Sequence, residues 1–159
     1  MTYNITCKVC KISDVLKSEE AKEQFCNLVE MQWLEVDHRR KSDGLNIDFD
    51  KYLKMEELGV HYIVLAYTDE AIVGYCSMFC SESPHTKDLT SLTDSMYILK
   101  EYRSLGLGTS MLAKAEEEAL LRGCRHMMVT FKNSQPHPNI VEELGFFSYE
   151  TVYSKKLEV

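Results

Sequence analysis

Apolar side chains recur along this chain with two different periods. From Ile5 to Lys11 they alternate with polar ones, which predicts a first strand. Phe25, Leu28, Val29, Trp33 and Val36 return at helical spacing behind Ser18, a capping hydroxyl, with Glu19 and Glu20 complementing the helix dipole in the first turn. A second helix is expected from a cap at Asp48 through Phe49, Tyr52, Met55 and Leu58 to a stop at Gly59. Two β-runs follow within Tyr62 to Phe79 and should pair as a hairpin across Thr68-Asp69-Glu70. Ser81 to Lys87, with Pro84 inside it, reads as a loop. A strand-like run at Met96 to Leu99 leads towards an amphipathic helix over Leu107 to Arg122. Met111, Leu112, Ala115 and Ala119 form its apolar stripe, and the small alanines allow close approach to a sheet. Lys114 with Glu118 and Glu118 with Arg122 are spaced as i,i+4 pairs facing water. Gly123 stops that helix, and Met127 to Lys132 reads as a further strand. The alternation predicts an α/β (α+β) fold, and no repeat, low-complexity stretch or linker divides 1–159 into more than one domain.

Composition narrows the class. With 159 residues, 45% hydrophobic and 27% charged, the chain has the size and content of one soluble globular domain. No apolar run approaches the roughly 20 residues that span a bilayer, and the start lacks a signal peptide's hydrophobic stretch. The cytoplasm is therefore the expected compartment, and six cysteines fit a reducing environment. A net charge of −7 argues against a nucleic-acid surface and favours cationic partners. The basic cluster His38-Arg39-Arg40-Lys41 reads as a solvated helix end. Cys7 and Cys10 invite a zinc reading, as do Cys76 and Cys80. An odd separation on a strand points the first pair to opposite faces, so no metal is expected.

The segment Arg103-Ser104-Leu105-Gly106-Leu107-Gly108-Thr109 carries the chemistry. Entry into a helix leaves several backbone N–H groups unpaired, the dipole adds partial positive charge, and glycines at 106 and 108 admit a ligand close to the backbone. The segment is thus an anion-binding turn suited to phosphate. A P-loop would need a lysine after its second glycine, and none follows. A dinucleotide fingerprint would need glycine or alanine where Met111 stands.

Arg-x-x-Gly-x-Gly between strand and helix resembles motif A of the GNAT superfamily of acyl-CoA-dependent N-acyltransferases. The resemblance runs from about Val60 to Val159. Tyr62 to Phe79, with its Ile72-Val73-Gly74, looks like the family's second and third strands. Met96 to Thr109 looks like the fourth strand and pyrophosphate loop, and Glu142-Glu143-Leu144-Gly145-Phe146 is similar to the late helix-to-strand signature. The resemblance implies a central mixed, mostly antiparallel sheet of about six to seven strands with flanking helices and a splayed fourth and fifth strand. It also implies acetyl-CoA as acyl donor and direct attack by a primary amine of a small molecule or protein. Pairing of the last strands into a homodimer is common in the family and stays open here.

In family terms, the backbone of Met96, Tyr97 and Ile98 would hold the pantetheine arm. The backbone from Ser104 through Leu105, Gly106, Leu107 and Gly108 to Thr109 would hold the pyrophosphate, with Arg103 nearby. A protonated amine must lose a proton before attack. Asp94 is the expected base: two residues before Met96, it should share that residue's face of the strand. Glu101 reads as a surface position. The family's usual acid, a tyrosine four residues before the glycine of Leu-Gly-Phe, is replaced by Val141. Asn133 lies twelve residues before Gly145, one more than the family interval, so Asn133, Ser134 or neither meets the cofactor. His137, Tyr149 and Tyr153 are substitute acids on paper, with Tyr153 the expected catalytic residue. The acceptor pocket would lie around Trp33 to Tyr52, whose acidic residues Glu35, Asp37, Asp43, Asp48 and Asp50 read as solvated surface. Loss of the tyrosine keeps open an acyl-CoA-binding sensor or interaction protein with decayed catalysis.

Overall fold

The computed structural model describes residues 4–36, 44–133 and 136–157. The described residues form one five-stranded sheet in the order β1-β2-β3-β4-β5. The strands are β1 (Thr6–Cys10), β2 (His61–Tyr67), β3 (Ile72–Glu82), β4 (Leu89–Ile98) and β5 (His126–Met128). Neighbours are antiparallel up to β4, and β5 runs parallel to it. The helices are α1 (Ile12–Leu16), α2 (Glu19–Val36), α3 (Phe49–Glu57), α4 (Leu107–Leu121) and α5 (Pro138–Glu143), with a 3-10 helix at Lys100–Leu105.

Local chemistry sets these boundaries where the sequence reading expects it. Ser18 Oγ accepts from Ala21 N at 3.2 Å ahead of α2, and Asp48 Oδ1 accepts from Lys51 N at 2.9 Å ahead of α3. Past α3, Gly59 N reaches Glu56 O and Val60 N reaches Met55 O, the paired bonds of a Schellman stop. The β2–β3 turn closes through Thr68 N to Ala71 O at 2.9 Å, with Thr68 Oγ1 accepting from Ala71 N at 3.1 Å.

Strand alternation divides the core into two layers. Tyr62, Val64, Ala66, Cys76 and Met78 pack on the α4 stripe of Met111, Leu112, Ala115 and Ala119. On the other face Ile63, Leu65, Tyr75 and Tyr97 meet Ile12 and Val15 of α1 and Phe25 and Leu28 of α2. Cys7 packs with the first layer and Cys10 with the second, opposite faces as their odd spacing requires. Tyr62 ties sheet to helix: its hydroxyl donates to Ala115 O at 2.9 Å and meets Ser91 Oγ at 2.8 Å. Leu112 is fully buried in this layer, so Leu112→Ala should cost about 2–5 kcal/mol, read from urea denaturation midpoints.

Four expectations change. The sheet has five strands among the described residues rather than six to seven. Residues 146–157 form no strand, and Tyr153 is 91% exposed. The reason is that β5 is three residues long and leaves no ladder for a later strand to extend. Lys114 pairs with Glu117 at 2.6 Å instead of with Glu118, while Arg122 Nε holds Glu118 at 2.7 Å as expected. Helix α1 has no counterpart in the sequence reading, being little more than one turn long. His38 to Lys41, with Asp37 and Asp43, lies outside the described residues, as does Ser134.

Candidate functional site

Chain leaving β4 makes the 3-10 helix and then enters α4 through Gly106, whose φ of +70° lies in the left-handed region that favours glycine. No side chain caps α4 at this end, and its first turn carries no acidic residue. Ser110 N is the first to bond back, to Gly106 O, so the N–H groups of Leu107, Gly108 and Thr109 have no backbone acceptor among the described residues. Helix α5 lies across this turn. A Cβ at Gly108 would stand 2.9 Å from Ile140 Cδ1, and Thr109 Oγ1 donates to Glu143 Oε2 at 3.2 Å.

The β4 edge is open beside this turn. Pairing with β5 stops at Leu92 and Met128, although β4 continues to Ile98. Thr93 Oγ1 closes the junction, donating to Met128 O at 3.1 Å and accepting from Thr130 N at 3.2 Å. Leu99 N bonds Val73 O across to β3, so by antiparallel alternation Tyr97 also turns its backbone groups to β3. Met96 and Ile98 turn theirs away from β3, where Arg103 Nε takes the Ile98 carbonyl and leaves the Met96 groups and the Ile98 N–H on the open edge. Of the three residues expected to line an extended ligand, Tyr97 therefore has its backbone groups committed elsewhere.

Arg103 is committed as well. Its Nε donates to Ile98 O at 2.8 Å, its Nη1 and Nη2 reach Glu35 Oε1 and Oε2 at 2.6 and 3.0 Å, and the guanidinium lies 5.0 Å from the centre of the Tyr97 ring. Tyr97 OH donates to the same Glu35 at 2.8 Å, and Lys100 Nζ approaches it at 3.9 Å. Arg103 thus clamps α2 to the turn ahead of α4 rather than standing free beside it, and Glu35 belongs to this clamp instead of to a solvated surface. Arg103's hydrogen bonds hold the Glu35 carboxyl at about 2, against partial burial and with help from Tyr97 and Lys100. A depressed pKa stabilises the fold above the ordinary carboxyl range, and that stability is lost as pH falls from about 4.5 towards 2. Glu35→Gln should lower stability at neutral pH and flatten its pH dependence in that window, measured by urea denaturation across the acid range.

Asp94 sits on a bulge. Ser77 pairs with Ser95 and Met78 with Thr93, so Asp94 is the extra residue on β4 and alternation is broken there. Its side chain consequently lies on the α3 side of the sheet, whereas Met96 packs towards α4 and Gly108. The two do not share a face, contrary to unbroken period-two geometry. Asp94 Oδ2 accepts from Tyr52 OH at 2.7 Å and from Ser77 Oγ at 3.1 Å, with Ser95 Oγ at 3.5 Å. Oδ1 receives no hydrogen bond from the described residues. Burial first, then the Asp94 charge, pushes the Tyr52 phenol far above its ordinary value, so it stays a donor.

A family model described as Acetyltransferase (GNAT) family matches residues 22–146. The chain belongs to the GNAT acetyltransferases. Family membership makes it a transferase with acetyl-CoA as cosubstrate. No curated protein matches the sequence significantly. Solved structures share the fold. An aminoglycoside acetyltransferase from an uncultured soil metagenomic sample has a TM-score of 0.74 at 12% identity, covering 98% of this chain and 96% of that one. A ribosomal-protein-alanine N-acetyltransferase from Brucella melitensis biovar Abortus 2308 has 0.70 at 13%, covering 97% and 99%. Glucosamine-6-phosphate N-acetyltransferase from Arabidopsis thaliana has 0.72 at 15%, covering 98% and 99%.

The remaining GNAT candidates lie apart from this arrangement. Asn133 is exposed in a turn. His137 precedes α5 without capping it and meets Phe131 edge-on at 5.1 Å. Tyr149 and Tyr153 are exposed, and Tyr153 makes no hydrogen bond to any described residue. Sequence reasoning missed Ser77, His61 and Glu35 as members of the site. Each meets its partner across at least 16 residues of chain, so no local spacing marks it.

Among the described residues no helix is long and apolar enough to cross a membrane, and no cluster of three His, Cys, Asp or Glu is placed to hold a metal ion.

Proposed function

We propose that the protein transfers an acetyl group from acetyl-CoA directly to a primary amine, with Asp94 as the base. The observation that carries this reading is the asymmetric carboxylate at the β4 bulge: Oδ2 is anchored by Tyr52 and Ser77, and Oδ1 is left open where β4 has no strand on its β5 side. The donor supplies an activated thioester. The uncapped N–H groups of Leu107, Gly108 and Thr109, with Ser104, Leu105 and Gly106 leading into them, fit a diphosphate. The outward backbone groups of Met96 and the outward N–H of Ile98 fit an extended amide-bearing chain laid along the edge. Arg103 acts on this turn by holding it against α2. Oδ1 of Asp94 takes the proton from the ammonium, because a protonated nitrogen has no lone pair for attack. No side chain is assigned to protonate the departing thiol, whose moderate pKa lets it leave as thiolate.

Relatives of this fold act on aminoglycosides, a ribosomal protein and an amino sugar, so the acceptor screen should span these amine classes. Thiol release from acetyl-CoA that depends on one of these amines is the expected result. Thermal stabilisation by acetyl-CoA, but not by ATP or NAD, with no thiol release from any amine, would overturn the transferase reading. That outcome is the signature of an acyl-CoA sensor, the reading that Val141 in place of the usual tyrosine favours.

A further inference from the structure

His61 opens β2 and is buried, yet it belongs to neither apolar layer. Its Nε2 lies 2.9 Å from Ser77 Oγ, and Ser77 Oγ lies 3.1 Å from Asp94 Oδ2. Tyr52 and Phe79 flank the imidazole, with ring centres 5.0 and 5.1 Å away, and Nδ1 is buried without a partner among the described residues.

The directions of these hydrogen bonds follow from counting hydrogens. An ionised carboxylate only accepts, and a serine hydroxyl has one hydrogen to give. With Asp94 ionised, the Ser77 hydrogen points at Oδ2, so Ser77 Oγ must accept from His61. His61 is then the Nε2–H tautomer with a bare Nδ1. A second proton on the ring would place an unpartnered N–H and a positive charge between two aromatic rings. Burial accordingly pushes the His61 pKa down, opposed by the charges of Asp94 and of Glu56 on α3 and assisted by Arg122 beyond α4. Tyr52, the other titratable group against the ring, remains a neutral donor.

We infer that His61 is a positioning residue for the base, fixing Asp94 through a one-way chain from His61 Nε2–H through Ser77 Oγ–H to Asp94 Oδ2. This rests on the reading of Asp94 as base. The chain and the Tyr52 hydroxyl both point hydrogens at Oδ2, which holds the rotation of the carboxylate. Oδ1 is thereby the oxygen presented to the amine. Without the imidazole, Ser77 loses the donor that orients it and its hydroxyl turns freely, so the grip on Oδ2 loosens.

The test is steady-state kinetics of His61→Phe, His61→Gln, Ser77→Ala and the Ser77→Ala/His61→Phe pair. His61→Phe should lower kcat about tenfold, leaving the KM for acetyl-CoA in place. His61→Gln, whose amide nitrogen reaches the Nε2 position, should restore kcat. Ser77→Ala should match His61→Phe, and the pair should be no worse than either alone, because both break one chain. A wild-type kcat in His61→Phe would overturn the inference, as would multiplicative losses in the pair. If His61→Phe fails to fold, Ser77→Ala against Ser77→Thr, which keeps the hydroxyl, carries the same test. Asp94→Asn separates the two readings: full activity there removes the base itself, whereas an inactive Asp94→Asn beside indifferent His61 variants removes only the chain.

Discussion

Asp94→Asn should lower kcat/KM for the amine about 10²–10³-fold at neutral pH while leaving the fold and acetyl-CoA binding in place. The carboxamide keeps an oxygen for the Tyr52 and Ser77 hydroxyls, so the hydrogen bonds at the bulge survive and only the basic lone pair is lost. Acetyl-CoA should still raise the melting temperature as in the parent protein, because the uncapped start of α4 is untouched. The pH dependence identifies the role. A lysine-like amine has a pKa of about 10.4, so the free base available without help rises roughly tenfold per pH unit below that value. The variant's rate should climb with that slope and approach the parent's at alkaline pH. Steady-state kinetics from mildly acidic to alkaline pH check this, and a variant as fast as the parent at neutral pH would remove Asp94 from the mechanism.

What the chain discloses before folding, and what it hides, divides along the range of the interactions. The helices around Phe25 and Leu28, Tyr52 and Met111 were legible because their apolar spacing and capping residues are local, as was the hairpin closed by Thr68. The glycine turn into α4 was legible for the same reason: two glycines within three positions suffice to mark it. The bulge was not. Its cause is a register shift between Ser77 and Met78 on another strand, and a one-residue slip reverses the face of every later side chain. Asp94 is marked by its place on β4, but its relation to Met96 is the reverse of what unbroken alternation gives. The Arg103 clamp was hidden because Glu35 lies 68 residues away and looks, in sequence, like one acidic residue among several. The last strands failed for a different reason. Tyr153 alternates with Thr151 as on a strand, but a strand needs a neighbour, and β5 ends after three residues.

Gly106→Asp should lower acetyl-CoA affinity about a hundredfold and Gly106→Ala should not, although both bear the same kind of backbone strain. A Cβ at this position would meet nothing within 4 Å, so the fold has room for either side chain. The φ of +70° costs a non-glycine residue about 1–2 kcal/mol, least for aspartate and asparagine, whose short polar side chains adopt that region most readily. Both variants bear backbone strain, and only one adds charge. An aspartate there places a negative group at the positive end of α4, beside the N–H groups of Leu107, Gly108 and Thr109 that a diphosphate would need. It repels the ligand and competes for its donors. At acetyl-CoA near 100 times the parent's Kd, ligand stabilisation of about 2.7 kcal/mol should fall to about 0.4 kcal/mol in Gly106→Asp and stay near the parent's value in Gly106→Ala. Thermal denaturation with and without acetyl-CoA reads both. Equal ligand stabilisation in the two variants would show that the diphosphate does not lie against the start of α4, and would move acetyl-CoA to another part of the molecule.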